Sequence, residues 1–381
     1  MVAYNSLWCS DLDRLGYHGG AALGSFLAMS LRPIYGHEAL LHRLAGAIAT
    51  SRFPQATLFT GPPGVGKQRL ALWAAQGLLC AAPSQGVPCG ECDGCRRARD
   101  LTHPDLHWFV PIPRPKAGDA DKQVEEARET LGAAIAERRE NPLWQPPDRM
   151  SSHSLASVRL LHRMAWVTPF SGERKVFVLG DAERLVVQEA SQEAANALLK
   201  VLEEPPQDTT LILTAADPEA LLPTIRSRLV TLRVSRVTDG DVRRFLSTEL
   251  DPPLAGRALE RRTVLAEGSI GRALWADEEG EGADRRAAEL LEAVSAGAEG
   301  WAAQALGQAP WAARGDFTGL LDALAVRLRA GLAEDAARDE SRLTARLEAL
   351  RRVEEARAAA QGNVNPQLAL AVLASDLERL L

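Results

Sequence analysis

Ala56-Thr57-Leu58-Phe59-Thr60-Gly61-Pro62-Pro63-Gly64-Val65-Gly66-Lys67-Gln68 is an apolar run that ends on glycine and proline and then opens into a helical pattern. A strand, a glycine-rich turn and a helix N-terminus in that order are the setting of a phosphate-binding loop. The glycines let backbone amides wrap a polyphosphate, the helix N-terminus adds partial positive charge, and Lys67 reaches the β and γ phosphates. The predicted nucleotide-binding residues are therefore Gly61, Pro62, Pro63, Gly64, Val65, Gly66, Lys67 and Gln68. The last departs from the pattern, in which serine or threonine offers Mg2+ a hydroxyl. A glutamine amide is longer and suits the tight octahedral shell of magnesium poorly. ATP binding is thus expected to survive better than Mg2+-dependent hydrolysis.

Working outward, residues 37–51 place Leu40, Leu41, Leu44 and Ile48 at helical spacing ahead of the first strand. Further strand-like runs at residues 106–110, 175–180, 209–215 and 230–234 alternate with helical stretches at 70–80, 154–167 and 188–204. Such alternation predicts an α/β fold, with a mostly parallel sheet covered on both faces. Residues 111–150 break the rhythm with proline- and charge-rich sequence around a predicted helix at 124–138, and read as a surface insertion. Beyond residue 235 the strand signals stop. Three short helices are predicted over 238–279, with Asp239 or Asp241 near the first N-terminus and Gly268-Ser269 before the third. Residues 284–381 are helical in pattern throughout, and their charged faces read as solvated. The predicted organisation is a disordered or non-native extension at 1–30, a nucleotide-binding domain at 31–235, a helical lid at 236–282 and a helical domain at 283–381.

With 381 residues, 46% of them hydrophobic and 25% charged, the chain is large enough for two to four domains. Its 44 basic and 50 acidic residues give a net charge of −6. That balance lacks the strong positive field of an autonomous nucleic-acid binder, so any such contact is local or made through partners. The uncharged stretch at 15–31 is interrupted by His18 and four glycines and makes neither a membrane span nor a secretory signal. A reducing, cytoplasmic setting is expected from the cysteines.

Apart from Cys9, those cysteines are Cys80, Cys89, Cys92 and Cys95, confined to sixteen residues. Two short Cys-x2-Cys steps with intervening Gly90 and Gly94 allow the chain to fold back on one ion. Four thiolates complete a tetrahedral Zn2+ shell and leave no position for a substrate water, which makes the predicted site structural. The alternatives are an iron–sulfur cluster or unrelated buried thiols.

The segment Asn196-Ala197-Leu198-Leu199-Lys200-Val201-Leu202-Glu203-Glu204-Pro205-Pro206 is, by periodicity alone, an amphipathic helix stopped by two prolines. Taken with the phosphate loop, the cysteine quartet and Arg226-Ser227-Arg228, it resembles the AAA+ subunits of the bacterial DNA polymerase III clamp loader over roughly residues 34–280. The resemblance implies a RecA-like AAA+ domain carrying a zinc module at 80–95, a helical lid and a helical collar domain in a pentameric assembly. It also implies gamma/tau and delta subunits as partners, with the sliding clamp and primer-template DNA reached through the assembly.

Two kinds of member resemble this chain, the gamma/tau motor ATPase and the delta-prime subunit with eroded catalytic residues. In motor subunits the strand corresponding to residues 175–180 ends in Asp-Glu, where the first organises Mg2+ and the second polarises water. Aligned on that strand, Gly180 takes the metal position and Asp181 the glutamate position; a shifted register would instead make Asp181 the metal ligand and Glu183 the base. The resemblance to delta-prime follows, with the gamma/tau motor as the alternative; a zinc-containing P-loop kinase lacks an acceptor-substrate domain after the core. The resemblance further implies that Arg228 is an arginine finger acting on a neighbour's ATP, that Thr214 sits at the sensor-1 position, and that Gly271 replaces the sensor-2 arginine, with Arg272 one step beyond. His103-Pro104-Asp105 is expected to be a turn.

Overall fold

Each β-branched and aromatic run of the sequence becomes a strand, and each intervening 3.6-residue pattern a helix that crosses back over the sheet. The computed structural model describes residues 31–116, 118–144, 151–185, 192–275, 278–307, 314–332, 335–336, 339–361 and 364–381. The extension expected at 1–30 lies outside them. In chain order the first elements are α1 (Glu38–Ala49), β1 (Ala56–Thr60), α2 (Lys67–Leu78), α3 (Asp93–Arg99), β2 (Leu106–Phe109), α4 (Ala120–Glu140), α5 (Leu155–Ala165) and β3 (Lys175–Leu179). There follow α6 (Gln192–Glu203), β4 (Thr209–Ala215), α7 (Pro223–Arg226), β5 (Val230–Arg233), α8 (Asp239–Thr248), α9 (Gly256–Ala266) and α10 (Ile270–Trp275).

All five predicted strands form one parallel sheet in the order β2-β3-β4-β1-β5. β3 and β4 are buried along their whole length, which is why they read as continuous apolar runs rather than alternating ones. Phe59, Phe109, Phe177, Leu58, Leu70 and Leu161 fill the core, each worth about 1.5–3 kcal/mol of burial. Register pairs Thr60 with Ala215 and Leu179 with Leu213. The turns after β1 and β3 and the end of β4 therefore emerge at one edge, the carboxyl end, where open α/β sheets place ligands.

The segment read as a surface insertion is anchored more deeply than expected. α4 exceeds the predicted helix at both ends, Asp119 caps it by accepting from Asp121 N–H, and Val124 and Ala127 join the core. Its period buries one stripe that the high charge of the other face conceals in the sequence.

The expected turn at His103-Pro104-Asp105 holds a loop in place. Asp105, 2% exposed, accepts from Phe170 N–H (2.6 Å), Ser171 N–H (2.8 Å) and the Ser171 hydroxyl (2.8 Å). Burial opposes its charge, but those donors outweigh it and hold the carboxyl below its ordinary range. From the other side, Lys175 Nζ donates to Ala165 O (2.8 Å) and Val167 O at the end of α5. The loop thus fixed presents Trp166, Val167 and Phe170 to solvent. Asp105→Ala is expected to cost ~1.5–3 kcal/mol by stranding these donors. Because the folded-state pKa is depressed, this stability is present above the unfolded value and is lost as pH falls through the folded one. Denaturant titrations of the two proteins at neutral and strongly acidic pH, with the gap narrowing at the acid end, check both statements.

Thr238 caps α8 by accepting from Asp241 N–H, which places Asp239 and Asp241 in its first turn. The chain divides into two compact units, Met1–Ala273 and Leu274–Leu381. The second contains α11 (Glu278–Ser295), α12 (Ala298–Gly307), α13 (Arg314–Ala330), α14 (Glu340–Gln361) and α15 (Pro366–Leu380). They pack around Leu290, Phe317, Leu321, Leu324, Val353, Leu373 and Leu377. Arg351 and Arg352 pair with Glu348 and Glu355 along the exposed face of α14, the solvated charge pattern expected there and worth little to stability.

Candidate nucleotide pocket and cysteine cluster

The phosphate loop leaves β1 at Gly61 (φ 155°) and turns through Gly64 (φ 74°) and Gly66 (φ 95°), the latter two in left-handed backbone that favours glycine. A Cβ on Gly61 would stand 2.1 Å from Val234 O. Five successive loop carbonyls are tied back by donors from elsewhere. Lys67 Nζ donates to Gly61 O and Pro62 O, each at 2.8 Å. Ser269 Oγ donates to Pro63 O (2.8 Å), Gly271 N–H to Gly64 O (2.9 Å) and His37 Nε2 to Val65 O (2.8 Å). With its carbonyls held outward and no side chain capping its N-terminus, α2 leaves its first N–H groups for an anion. His37, Ser269 and Gly271 were invisible as loop braces in the sequence, since only the fold brings these distant segments to residues 63–65.

Gly180 and Asp181 follow β3 directly. Asp181 adopts φ 51°, and its N–H donates to Thr214 Oγ1 at 3.1 Å. The hydroxyl of Thr214, expected at sensor 1, is thus engaged by backbone. Burial lowers the Lys67 pKa against the opposing pull of Glu183 and Asp181. Burial raises Asp181, opposed by Lys67 and Arg184. Burial and the Asp181 charge push Glu183 up to about 7. Glu183 Oε1 accepts from Ala216 N–H (3.1 Å), while Oε2 is buried with no hydrogen-bond partner among the described residues. Lys67, Gln68, Gly180, Asp181, Glu183 and Thr214 thus lie together at the carboxyl end of the sheet.

Arg228 is placed elsewhere, on the exposed turn after α7. Its guanidinium donates to Thr224 O and Glu203 Oε1, both at 2.7 Å. Arg272 donates to Glu267 Oε2 at 2.6 Å, so its guanidinium is turned to a glutamate. A groove between α5 and α6 is lined by Arg159, His162, Arg163, Glu193 and Lys200, with Arg163 paired to Asp121 of α4.

Cys80, Cys89, Cys92 and Cys95 converge so that their Sγ atoms all lie within 4.8 Å of one another. Separations of 3.5 Å (Cys80–Cys89) and 3.9 Å (Cys89–Cys95 and Cys80–Cys92) fit the ~3.8 Å edge of a tetrahedron with Zn–S bonds of ~2.3 Å. Backbone N–H groups of Cys89, Cys92 and Cys95 point at the sulfurs of Cys80, Cys89 and Cys92. The N–H of Cys92 is foremost in drawing the Cys89 thiol down to about 6, whereas burial pushes Cys95 up. A Cβ on Gly94 would stand 2.6 Å from Leu79 O, so glycine is required for the chain to close. The donor set and spacing fit a structural metal ion. Among the described residues no helix is long and apolar enough to cross a membrane.

A parallel β2-β3-β4-β1-β5 sheet with a phosphate loop after β1 and a helical remainder defines a RecA-like AAA+ protein. The protein family described as "DNA polymerase III, delta subunit" matches residues 36–238, more than half of the chain. The delta' subunit of DNA polymerase III from Pseudomonas aeruginosa is 36% identical over 194 residues, 51% of this chain and 46% of its own. The tau subunit from Escherichia coli is 29% identical over 256 residues, 65% of this chain and 33% of its own. A gamma subunit-related protein of known structure from Thermotoga maritima is 15% identical, with a TM-score of 0.43 over 90% of this chain and 98% of its own. The chain spans half or less of the length of these two curated relatives. It belongs to the DNA polymerase III delta subunit family, as a clamp-loader AAA+ subunit of the delta-prime type.

Proposed function

We propose that the chain is a non-motor subunit that binds ATP weakly or not at all and works by contact. It presents Arg228 to the ATP of a neighbouring gamma/tau subunit, joins delta, and helps place the sliding clamp on primer-template DNA. The observation that carries this reading is a phosphate loop with Lys67 in place but Gln68 and Gly180 at both magnesium-organising positions. Phosphoryl transfer depends on positioning and charge compensation, so losing both groups costs several orders of magnitude in rate. A finger acts in trans and persists in a subunit that does not hydrolyse. In this reading residues 31–235 are the AAA+ domain with its zinc module and its insertion at 111–150, 236–282 the lid and 283–381 the collar domain.

Surfaces suited to partners support it. Trp166, Val167 and Phe170 form an exposed apolar patch on a fixed loop, a feature of protein interfaces. Leu368 and Val372 are exposed one turn apart on α15. Arg159 and Lys200 of the groove between α5 and α6 are cations suited to phosphates of DNA. Cys80, Cys89, Cys92 and Cys95 hold zinc as a structural staple.

One observation favours the motor reading, the proximity of Asp181 and Glu183 to Lys67 in the shifted register. ATP turnover by the purified chain, with primed DNA and clamp present, separates the two. The expected result is turnover at background. Brisk hydrolysis abolished by Lys67→Ala overturns the delta-prime role.

A further inference from the structure

Gln68 and Gly180, the two departures from the magnesium-binding pattern, are packed against each other. A Cβ placed on Gly180 would stand 2.5 Å from Gln68 Oε1, 2.7 Å from its Cδ and 3.0 Å from its Nε2. Those distances are inside van der Waals contact, so the amide fills the space of any side chain at position 180.

Neither partner is free to yield. Gly180 is held on both sides of its Cα, its N–H donating to Phe109 O (2.8 Å) and its carbonyl accepting from His153 Nε2 (2.7 Å). The amide is held as well. Trp108 Nε1–H donates to Gln68 Oε1 at 3.2 Å, and the Gln68 side chain also hydrogen-bonds Asp181. Trp108 is itself buried, with Trp144 edge-on at 4.9 Å and the Arg138 guanidinium over its ring at 5.5 Å. Arg138 and Trp144 belong to the 111–150 insertion, so that segment buttresses the amide from behind.

We propose that Gln68 plugs the divalent-cation position of the phosphate loop, so that the pocket takes a nucleoside polyphosphate free of metal. The inference rests on the phosphate-loop reading above and names its ligand class. Magnesium needs oxygen ligands at ~2.0–2.1 Å and keeps several waters. Here the volume beside Gly180 holds an amide whose oxygen is turned to Trp108. The residues present do not fit Mg2+, while Lys67, whose Nζ rests on Gly61 O and Pro62 O, keeps a third N–H for a phosphate.

The plug predicts coupling between the two positions. Gly180→Asp alone must drive Gln68 off its bonds to Trp108 and Asp181. Gln68→Thr alone leaves Trp108 Nε1 without its acceptor. Together they exchange one volume for the other and restore both ligand types, so the double variant departs from additivity.

The test is binding of a fluorescent ATP analogue to the purified chain, in EDTA and in Mg2+, with melting of each variant. Wild-type affinity is expected to agree within about twofold in the two buffers. Gly180→Asp, and the milder Gly180→Ala, lower Tm by several degrees, and adding Gln68→Thr recovers it. The Gln68→Thr, Gly180→Asp double variant gains about tenfold or more in affinity on adding Mg2+. Tightening of the wild type by Mg2+ to that extent overturns the plug while leaving the phosphate loop standing. So does Gly180→Ala melting with the wild type. Absence of binding in every variant and both buffers overturns the metal-free ligand, while the contact role proposed above stands.

Discussion

Arg228→Ala is expected to lower the ATPase rate of a reconstituted clamp-loader assembly by ~10³-fold or more at each site that the finger serves. A guanidinium supplied across an interface compensates charge on the transferring phosphoryl group. Arg228 stands on an exposed turn, anchored by Thr224 O and Glu203 at 2.7 Å each. That ion pair is solvent-exposed and contributes at most ~1 kcal/mol, so the variant should fold, enter the assembly and melt with the wild type. Arg228→Lys is expected to rescue poorly, since an ammonium lacks the planar fork. Steady-state ATPase with DNA and clamp, alongside size-exclusion of the complex, checks the split between chemistry and assembly. An unchanged rate removes the finger from Arg228.

Removing the metal from the cysteine quartet is the second large effect. One zinc per chain is expected by elemental analysis, and stripping it, or Cys95→Ser, should lower Tm by roughly 5–15 °C, since structural zinc binding is folding energy. The loss does not stay local. Gln76 Nε2 donates to Cys95 O at 3.0 Å, which ties the module to α2, the same helix that begins at Lys67. The effect of chelation on melting should therefore disappear in Cys95→Ser, whose module is already open. A chain that contains no metal as purified and melts alike before and after chelation contradicts the site.

Much of the sheet was legible because parallel strands buried on both faces leave apolar runs that little else in a chain imitates. Runs at 106–110 and 209–215 became β2 and β4 within a residue. α4 was underestimated, since Val124 and Ala127 are sparse among charges that face solvent. Local chemistry was legible too. The glycines of the phosphate loop, the four cysteines and the caps each act within a few residues, where spacing and geometry are nearly the same thing.

Contacts across long separations were not legible. Ser269 and His37 brace residues 63 and 65, Asp105 fixes residues 170 and 171, and side chains from α5 and α6 line one groove. The sequence by itself determined the fold class, the glycine-rich loop after the first strand and the grouping of four cysteines, since each is written in adjacent or periodic positions. Only the tertiary structure decided that Gln68 occupies the space at Gly180, because which volumes coincide is settled by how strands and helices pack, and no local pattern records that.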